Sequence, residues 1–321
     1  MVHWGPPADL GRLAEAWPDD PRFELVVVDN GGQLPASLPA PRGRVLRPGR
    51  NLGFAGGADL GAAAARAPLL LFLNPDVRPL PAALPALLEG FRVHPDAAGL
   101  APRLVGGDGR PQHRWQLRPL PGLGGLLAQG LFLSLIRGPE AEPPAGAPVA
   151  QPAAAALALR REAFVAAGGF DPRFFPAWFE DVDLARRLAT GGATVRYWPA
   201  AAFEHRQGGS VAALGYPGFL WSYYRNLDRY LRKHHGAGGA LALRLILAAG
   251  APARLALVPL RRPARAASRG EAARGLLALA AGALSGWRSP PAAARLTTAP
   301  PAAGTGGEVT AGRRASEKAA R

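Results

Sequence analysis

The sequence predicts an α/β protein: a mostly parallel central sheet flanked by helices, with amphipathic helices at the C-terminal end. Two runs carry the sheet. Phe23-Glu-Leu-Val-Val-Val-Asp29 and Leu69-Leu-Leu-Phe-Leu73 are short and apolar. Each is stopped by turn chemistry, Asn30-Gly-Gly in one case and Asn74-Pro-Asp76 in the other, which is how buried strands read. Between and after them, the Ala-rich stretch Phe54 to Arg66 and the stretch Leu80 to Val93 read as helices, and strand alternating with helix is the parallel α/β pattern. A parallel sheet gathers its ligands outside the carboxyl ends of its strands, so Asp29 and Asp76 are expected on one rim.

Composition narrows the class. The chain has 321 residues, 48% of them hydrophobic, enough for a packed core. It contains no Cys, which excludes a disulfide framework, a thiolate metal site and a Cys nucleophile. The net charge of +15 is uneven: from Ala240 to Arg321, 12 Arg and one Lys face three Glu, a net of +10. A globular body with a basic end is drawn to a polyanion, either anionic lipid or nucleic acid. Met1 to Asp20 has neither a basic n-region nor an apolar run, so it does not read as a secretory leader, and the body is expected in the cytoplasm.

From Gly106 to Pro152 the pattern dissolves into Pro and Gly, a long loop of the kind that is functional or disordered. Within it, the uncharged stretch Pro119 to Ile136 reads as an interfacial or substrate-covering segment. Ala153 to Leu159 is a strand candidate and Arg160 to Ala167 a short helix. Thr194 to Trp198 and Ala201 to His205 are two further strand candidates. Leu220, Tyr224, Leu227 and Leu231 mark an amphipathic helix over Tyr216 to His234. Leu241 to Leu260 and Gly275 to Leu284 are apolar runs interrupted or flanked by arginines, expected to lie on a surface rather than span a membrane. Three units follow: a body over 1–235, a basic, apolar, helical membrane-associating region over 236–290, and a disordered tail over 291–321. The apolar runs equally suit packing on the body or on a second subunit, which leaves a homo-oligomer open.

Several residues are candidates for chemistry, each with a bland alternative. Glu180, Asp181 and Asp183 cap a helix start; yet Phe174, Phe175, Trp178 and Phe179 precede them and can desolvate one, raising its pKa toward general-base duty. Asn74-Pro-Asp76 is good turn chemistry, and it also places a carboxylate where Mg or Mn, which prefer oxygen ligands, can bridge a substrate phosphate. The turn Asn51-Leu-Gly53-Phe-Ala-Gly56-Gly57 offers glycine amides near a helix start, where a diphosphate can be accepted. His205-Arg-Gln-Gly-Gly-Ser210 offers an imidazole, a guanidinium and a small turn.

The order of these motifs is more informative than any one of them. Val-Val-Val-Asp29-Asn30, Asn51-Leu-Gly-Phe-Ala-Gly-Gly, Asn74-Pro-Asp76, Gly168-Gly169-Phe170-Asp171, Phe179-Glu180-Asp181-Val-Asp183-Leu and His205-x-x-Gly-x-Ser210 follow one another. Over about residues 1 to 235 this resembles the family 2 glycosyltransferases of GT-A fold, in particular their bacterial rhamnosyltransferase-like branch. The resemblance implies a nucleoside-diphosphate sugar as donor. Asp29 would contact the base, and Asn51, Gly53, Gly56, Gly57 and Asn74 would line the nucleotide-sugar site. Asp76 would hold a divalent ion, Mg or Mn, with His205 as second ligand, and Asp181, with Glu180 beside it, would deprotonate the acceptor hydroxyl in an inverting transfer. The acceptor would be a lipid-linked or cell-envelope polysaccharide, met at an anionic membrane surface from the cytoplasmic side. The chain departs from the family pattern in three places. Met1-Val-His-Trp4 looks like the last residues of the family's first strand, Asp59 stands where an Asn is usual, and Gln151-Pro-Ala-Ala-Ala-Ala156 replaces a Gly-rich stretch. Three other classes fit less well: a nucleic-acid-binding protein lacks aromatics among the basic-end arginines apart from Trp287, a nucleotidyltransferase wants a basic Gly-rich loop near the first strand, and a glycosidase leaves the nucleotide rim unexplained.

Overall fold

The computed structural model describes residues 1–4, 8–35, 38, 40–206 and 214–288. Gly208 and Ser210 of the last motif and the 291–321 tail lie outside the described residues. A parallel three-stranded sheet is built from β1 (Val2–His3), β2 (Leu25–Asp29) and β3 (Gly43–Leu46), with β2 in the middle. The second sheet has five strands in the order β4 (Leu69–Leu73), β9 (Ala156–Arg160), β6 (Gly99–Val105), β10 (Val195–His205) and β5 (Val77–Pro79). A short antiparallel pair, β7 (Leu117–Arg118) with β8 (Gln151–Pro152), stands at the site end.

The expected mostly parallel sheet is corrected to a mixed one. Only β6 and β10 run parallel in the five-stranded sheet, while β9 is antiparallel to both β4 and β6, and β5 to β10. The reason lies in the connection. β6 ends at the site rim, the chain makes its excursion over 106–155 on that rim, and the next strand starts there and has to run back. The two strands expected over 194–205 form one strand, β10, whose register shifts between Trp198 and Ala202. The two sheets leave between β2 and β4 an apolar cavity of about 440 Å³, lined by Leu25, Val26, Leu69 and Leu71 and roofed by helices.

Helices α1 (Ala8–Ala16) and α3 (Ala83–Val93) cover one side with Leu13, Leu84, Leu87 and Phe91. The other side carries α2 (Gly53–Ala64), α6 (Arg161–Ala166) and α7 (Glu180–Thr190). There Phe72 meets Phe164 and Phe170 at ring separations of 4.9 and 5.0 Å, an aromatic core that fixes the Gly168-Gly169-Phe170 turn against the sheet. The excursion contains α4 (His113–Gln116) and α5 (Leu123–Gly130), so part of the expected loop is ordered helix.

The C-terminal part is α8 (Gly215–Leu257) and α9 (Arg269–Ser285). α8 is two helices, because Gly236 leaves helical geometry at φ 79° and ψ 175°, a conformation open to glycine. Asp228 and Arg244 form a two-point ion pair of 2.6 and 2.9 Å. Sixteen residues of straight helix span about 24 Å, so this pair requires the halves 215–235 and 237–257 to fold back on each other. Leu243 and Leu247 of the second half share a core with Phe174, Phe179, Val182 and Leu227. Gly236 is the bend of a helical hairpin, and residues of 237–287 pack into the same core as the helix bearing Glu180 and Asp181.

Candidate functional site

Asp76 follows β4 and the turn at Asn74, whose N–H donates to Ala155 O at 2.9 Å. Across from it, the end of β10 presents His205, 3% exposed. His205 Nε2 stands 3.6 Å from Asp76 Oδ1, and its protonation is legible from the neighbours. Gln112 Nε2 donates to His205 O at 3.1 Å, which turns Gln112 Oε1 toward His205 Nδ1 at 2.9 Å. Nδ1 therefore carries the proton and Nε2 a lone pair. Burial lowers the His205 pKa against the opposing pull of Asp76, which keeps the ring neutral at pH 7. Trp115 covers the ring at 5.1 Å between centroids. A neutral imidazole nitrogen and a carboxylate oxygen facing each other form a donor pair suited to a divalent cation. Among the described residues no group of three or more His, Asp and Glu is gathered to hold a metal, so such an ion would complete its shell from substrate phosphate and water.

The acidic pair opens α7. Phe179 and Trp178 sit just before it at φ 71° and 76°, left-handed values uncommon for bulky residues and typical of strained functional turns. Asn226 holds that turn from α8: it is fully buried, and its Nδ2 lies 2.8 Å from Ala177 O, 3.2 Å from Phe175 O and 3.3 Å from Trp178 O. Arg225 adds a bond to Phe175 O at 2.6 Å. Asp181 accepts from Val182 N at 2.8 Å and from Ala154 N at 3.4 Å. Burial raises its pKa, and the Arg118 guanidinium pulls the other way. Glu180 is pushed well above the carboxylate range by burial and by Asp181, and its Oε2 is buried without a hydrogen bond. Asp183 is fully buried and tied to Arg187 at 2.8 Å and to Lys233 and His234 at 2.7 Å; it braces α7 against α8.

The glycine turn is held by a set of local hydrogen bonds. Asn30 Oδ1 accepts from Leu52 N, Asn51 Oδ1 from Gly53 N at 2.8 Å, and Pro176 O from Phe54 N at 2.7 Å. The Leu52, Gly53 and Phe54 amides of this turn are thereby occupied. The glycines allow close packing: a Cβ on Gly53 would come within 2.8 Å of Phe175, one on Gly57 within 2.8 Å of Val2, and one on Gly56 within 3.2 Å of Leu52. Asp29, 2% exposed, accepts from the N–H groups of Gly31, Gly32, Gln33 and Leu34, so its carboxylate shapes the 30–34 turn. Asp59 holds the Gly168-Gly169-Phe170 turn. It accepts from Phe170 N at 2.9 Å and has its pKa raised to about 6, chiefly by burial.

One path of contacts joins most of these residues. Asn30 Nδ2 bonds Gly53 O at 2.9 Å, Phe54 N reaches Pro176 O, the 175–179 turn leads into Glu180 and Asp181, Asp181 meets Ala154, and Ala155 holds Asn74 beside Asp76 and His205. Gln112, Trp115, Arg118 and Asn226 were not legible as site residues. Gln112 to Arg118 sit in the Pro/Gly excursion, and Asn226 belongs to the polar side of an amphipathic helix.

Residues 10–164 match the family described as Glycosyl transferase family 2. N-acetylglucosaminyl-diphospho-decaprenol L-rhamnosyltransferase of Mycobacterium tuberculosis is 31% identical over 209 residues, 58% of this chain and 67% of that protein. Among solved structures, GalNAc-T7, crystallised with UDP, GalNAc and Mn²⁺, superposes with a TM-score of 0.53 at 15% identity, covering 72% of this chain and 46% of that one. The chain thus spans about half the length of that neighbour, and the likeness shows the fold. The chain belongs to glycosyl transferase family 2: it is a glycosyltransferase of mixed α/β, GT-A fold.

Proposed function

We propose that the protein is an inverting, metal-dependent glycosyltransferase that moves a sugar, rhamnose by likeness to the mycobacterial relative, from a nucleoside diphosphate to a hydroxyl of a lipid-linked acceptor. The observation that carries this reading is the neutral His205 Nε2 facing Asp76 Oδ1 at 3.6 Å, linked by a path of contacts to the half-buried Asp181. Asp76 and His205 would hold a divalent ion, Mg or Mn, which supplies positive charge for the departing diphosphate. Asp181 takes the proton of the acceptor hydroxyl, its raised pKa suiting it to that task near neutral pH. The hydroxyl oxygen then forms a bond to the anomeric carbon as the carbon–oxygen bond to the diphosphate breaks on the opposite side, its electron pair leaving with the nucleotide. Asn74 and the 51–57 turn border the donor by shape, and Asp29 fixes the turn next to the base. The enzyme works at the cytoplasmic face of a membrane, where lipid-linked acceptors are met.

Thermal unfolding with dTDP, UDP, GDP or CDP, each with and without Mn²⁺, tests the donor site. A nucleotide at about a hundred times its Kd adds ~2.7 kcal/mol, a shift of roughly 5 to 10 °C for a body of this size. The expected result is a Mn²⁺-dependent shift with one nucleotide that is lost in Asp76→Ala. A folded protein that shifts with none of them would overturn the reading.

A further inference from the structure

The second half of α8, 237–257, has an apolar face turned the wrong way for a soluble protein. A surface helix buries its apolar stripe and shows its polar one. Here the exposed positions from Gly236 to Leu260 are Gly, Ala, Pro and Leu only, with Leu241, Leu245, Leu257 and Leu260 at 56, 61, 56 and 80% exposure. The helix's two arginines are both turned inward. Arg244 pairs with Asp228, and Arg254 donates to Gly130 O at 2.6 Å and lies 4.2 Å over the Phe132 ring. That contact brings the loop after α5 alongside, where Leu131, Leu133 and Leu135 are also exposed. At the far end of the stripe the surface changes abruptly to Arg261, Arg262 and Arg269, all exposed.

We propose that this face, the 237–257 helix with the 131–135 loop and the arginines beyond Leu260, lies in the surface of an anionic lipid bilayer. This half belongs to the stretch Gly215–Leu257, which is long and apolar enough to cross a membrane by length and composition. It lies flat instead, because the Asp228–Arg244 pair and the buried Leu243 and Leu247 pin one side of it to the protein. Lipid suits the face better than a protein partner does. Protein interfaces carry about one hydrogen bond per 100–200 Å² and a polar rim, and the stripe from Gly236 to Leu260 exposes no polar side chain. Arginines at one end match anionic headgroups over a Debye length. The same arginine segment borders the acidic pair: Arg265 lies 4.5 Å over Phe219, whose ring meets Trp178 and Tyr223. A bilayer on this face therefore brings lipid-linked hydroxyls to the mouth of the Asp181 site.

The test is flotation of the full chain with vesicles of phosphatidylcholine alone and of phosphatidylcholine mixed with phosphatidylglycerol. The parent floats with the mixed vesicles and less with the neutral ones. Leu241→Glu/Leu245→Glu/Leu257→Glu, at exposed positions that leave the fold and the nucleotide-induced thermal shift intact, lowers the bound fraction roughly tenfold or more. Arg261→Ser/Arg269→Ser removes the preference for the anionic lipid. A triple variant that floats like the parent overturns the proposal, as does a parent that floats with neither vesicle. In that last case, a dimer lost in the triple variant assigns the face to a second copy of the chain. Because the nucleotide shift is read without vesicles, failure here is distinct from failure of the donor-site reading.

Discussion

Asn226 is the residue on which the acidic pair most depends without touching it. Its amide group faces three carbonyl oxygens of the strained 175–178 turn, and two N–H bonds can serve at most two of them well at once. Arg225 still holds Phe175 O in its absence, so Asn226→Ala strands the carbonyls of Ala177 and Trp178. At about 1–3 kcal/mol for each of the two buried unpaired groups, a loss of about 2–6 kcal/mol is expected, roughly 4 to 24 °C in Tm. If the turn relaxes instead, Trp178 and Phe179 leave φ 76° and 71°, and the start of α7 moves with them. The stability loss is then smaller and the rate falls by about a hundredfold, the cost of a displacement near 1 Å. Thermal unfolding and nucleoside-diphosphate release, measured on the same samples, separate the two outcomes. Asn226→Asp is the sharper variant, since it points a carboxylate oxygen at the same carbonyls and should be worse than Ala in both assays. An Asp variant with the parent's Tm and rate would refute the clamp.

Three further outcomes follow from the geometry. Gln112→Leu removes the acceptor that fixes the His205 tautomer and should weaken Mn²⁺ binding, read by titration against the nucleotide-induced shift, by about 10- to 100-fold. Arg118→Met removes the charge that lowers the Asp181 pKa, so the acidic limb of the kcat/KM profile should move to higher pH while the plateau rate is kept; a limb that moves down would rule out Asp181 as the titrating base. Asp59, raised from 3.8 to about 6 in the folded state, binds its proton more tightly folded than unfolded, so its contribution to stability falls as pH rises from about 4 to 6. Asp59→Asn, which keeps the acceptor for Phe170 N–H, should raise Tm at pH 7.5 and converge on the parent toward pH 4, as unfolding at both pH values will read.

The parts of the fold legible in the sequence are those where local chemistry and burial agree. Leu69 to Leu73 is a strand with the expected limits, because an apolar run between Pro68 and Asn74-Pro75 has no competing pattern. β9 was visible as a strand, but its direction depends on where the excursion over 106–155 leaves and returns, a long-range fact. At the Asn51 to Gly57 turn the residue requirement has a long-range cause as well as a local one. Glycine is demanded there by Phe175, Pro176 and Val2 from other parts of the chain, whereas a local motif suggests phosphate. Gln112 gave no signal because a four-residue helix in a Pro-rich stretch has no periodicity to read. Asn226 was hidden because a polar residue on the polar side of an amphipathic helix reads as solvated, and here the 173–179 segment covers that side. The end of the amphipathic helix near residue 234 is legible, and the Asp228–Arg244 pair shows that the chain reverses there.

The same helical hairpin accounts for the electrostatics of the acidic pair. Two adjacent carboxylates in a water-filled cleft would both ionise and neither would be a useful base at neutral pH. Here α7 begins beneath Phe179, Tyr223 and Tyr230, so burial penalises both charges and each raises the other's cost. The tie is broken by placement. Arg118 acts on Asp181, which also accepts two backbone N–H bonds, while Glu180 Oε2 has no hydrogen-bond donor. The single negative charge therefore belongs on Asp181 and the retained proton on Glu180. Removing the neighbour's proton-holding group with Glu180→Gln leaves that division unchanged and should preserve most of the rate, whereas Asp181→Asn removes the only ionised oxygen and should abolish transfer while the Mn²⁺-dependent nucleotide shift persists.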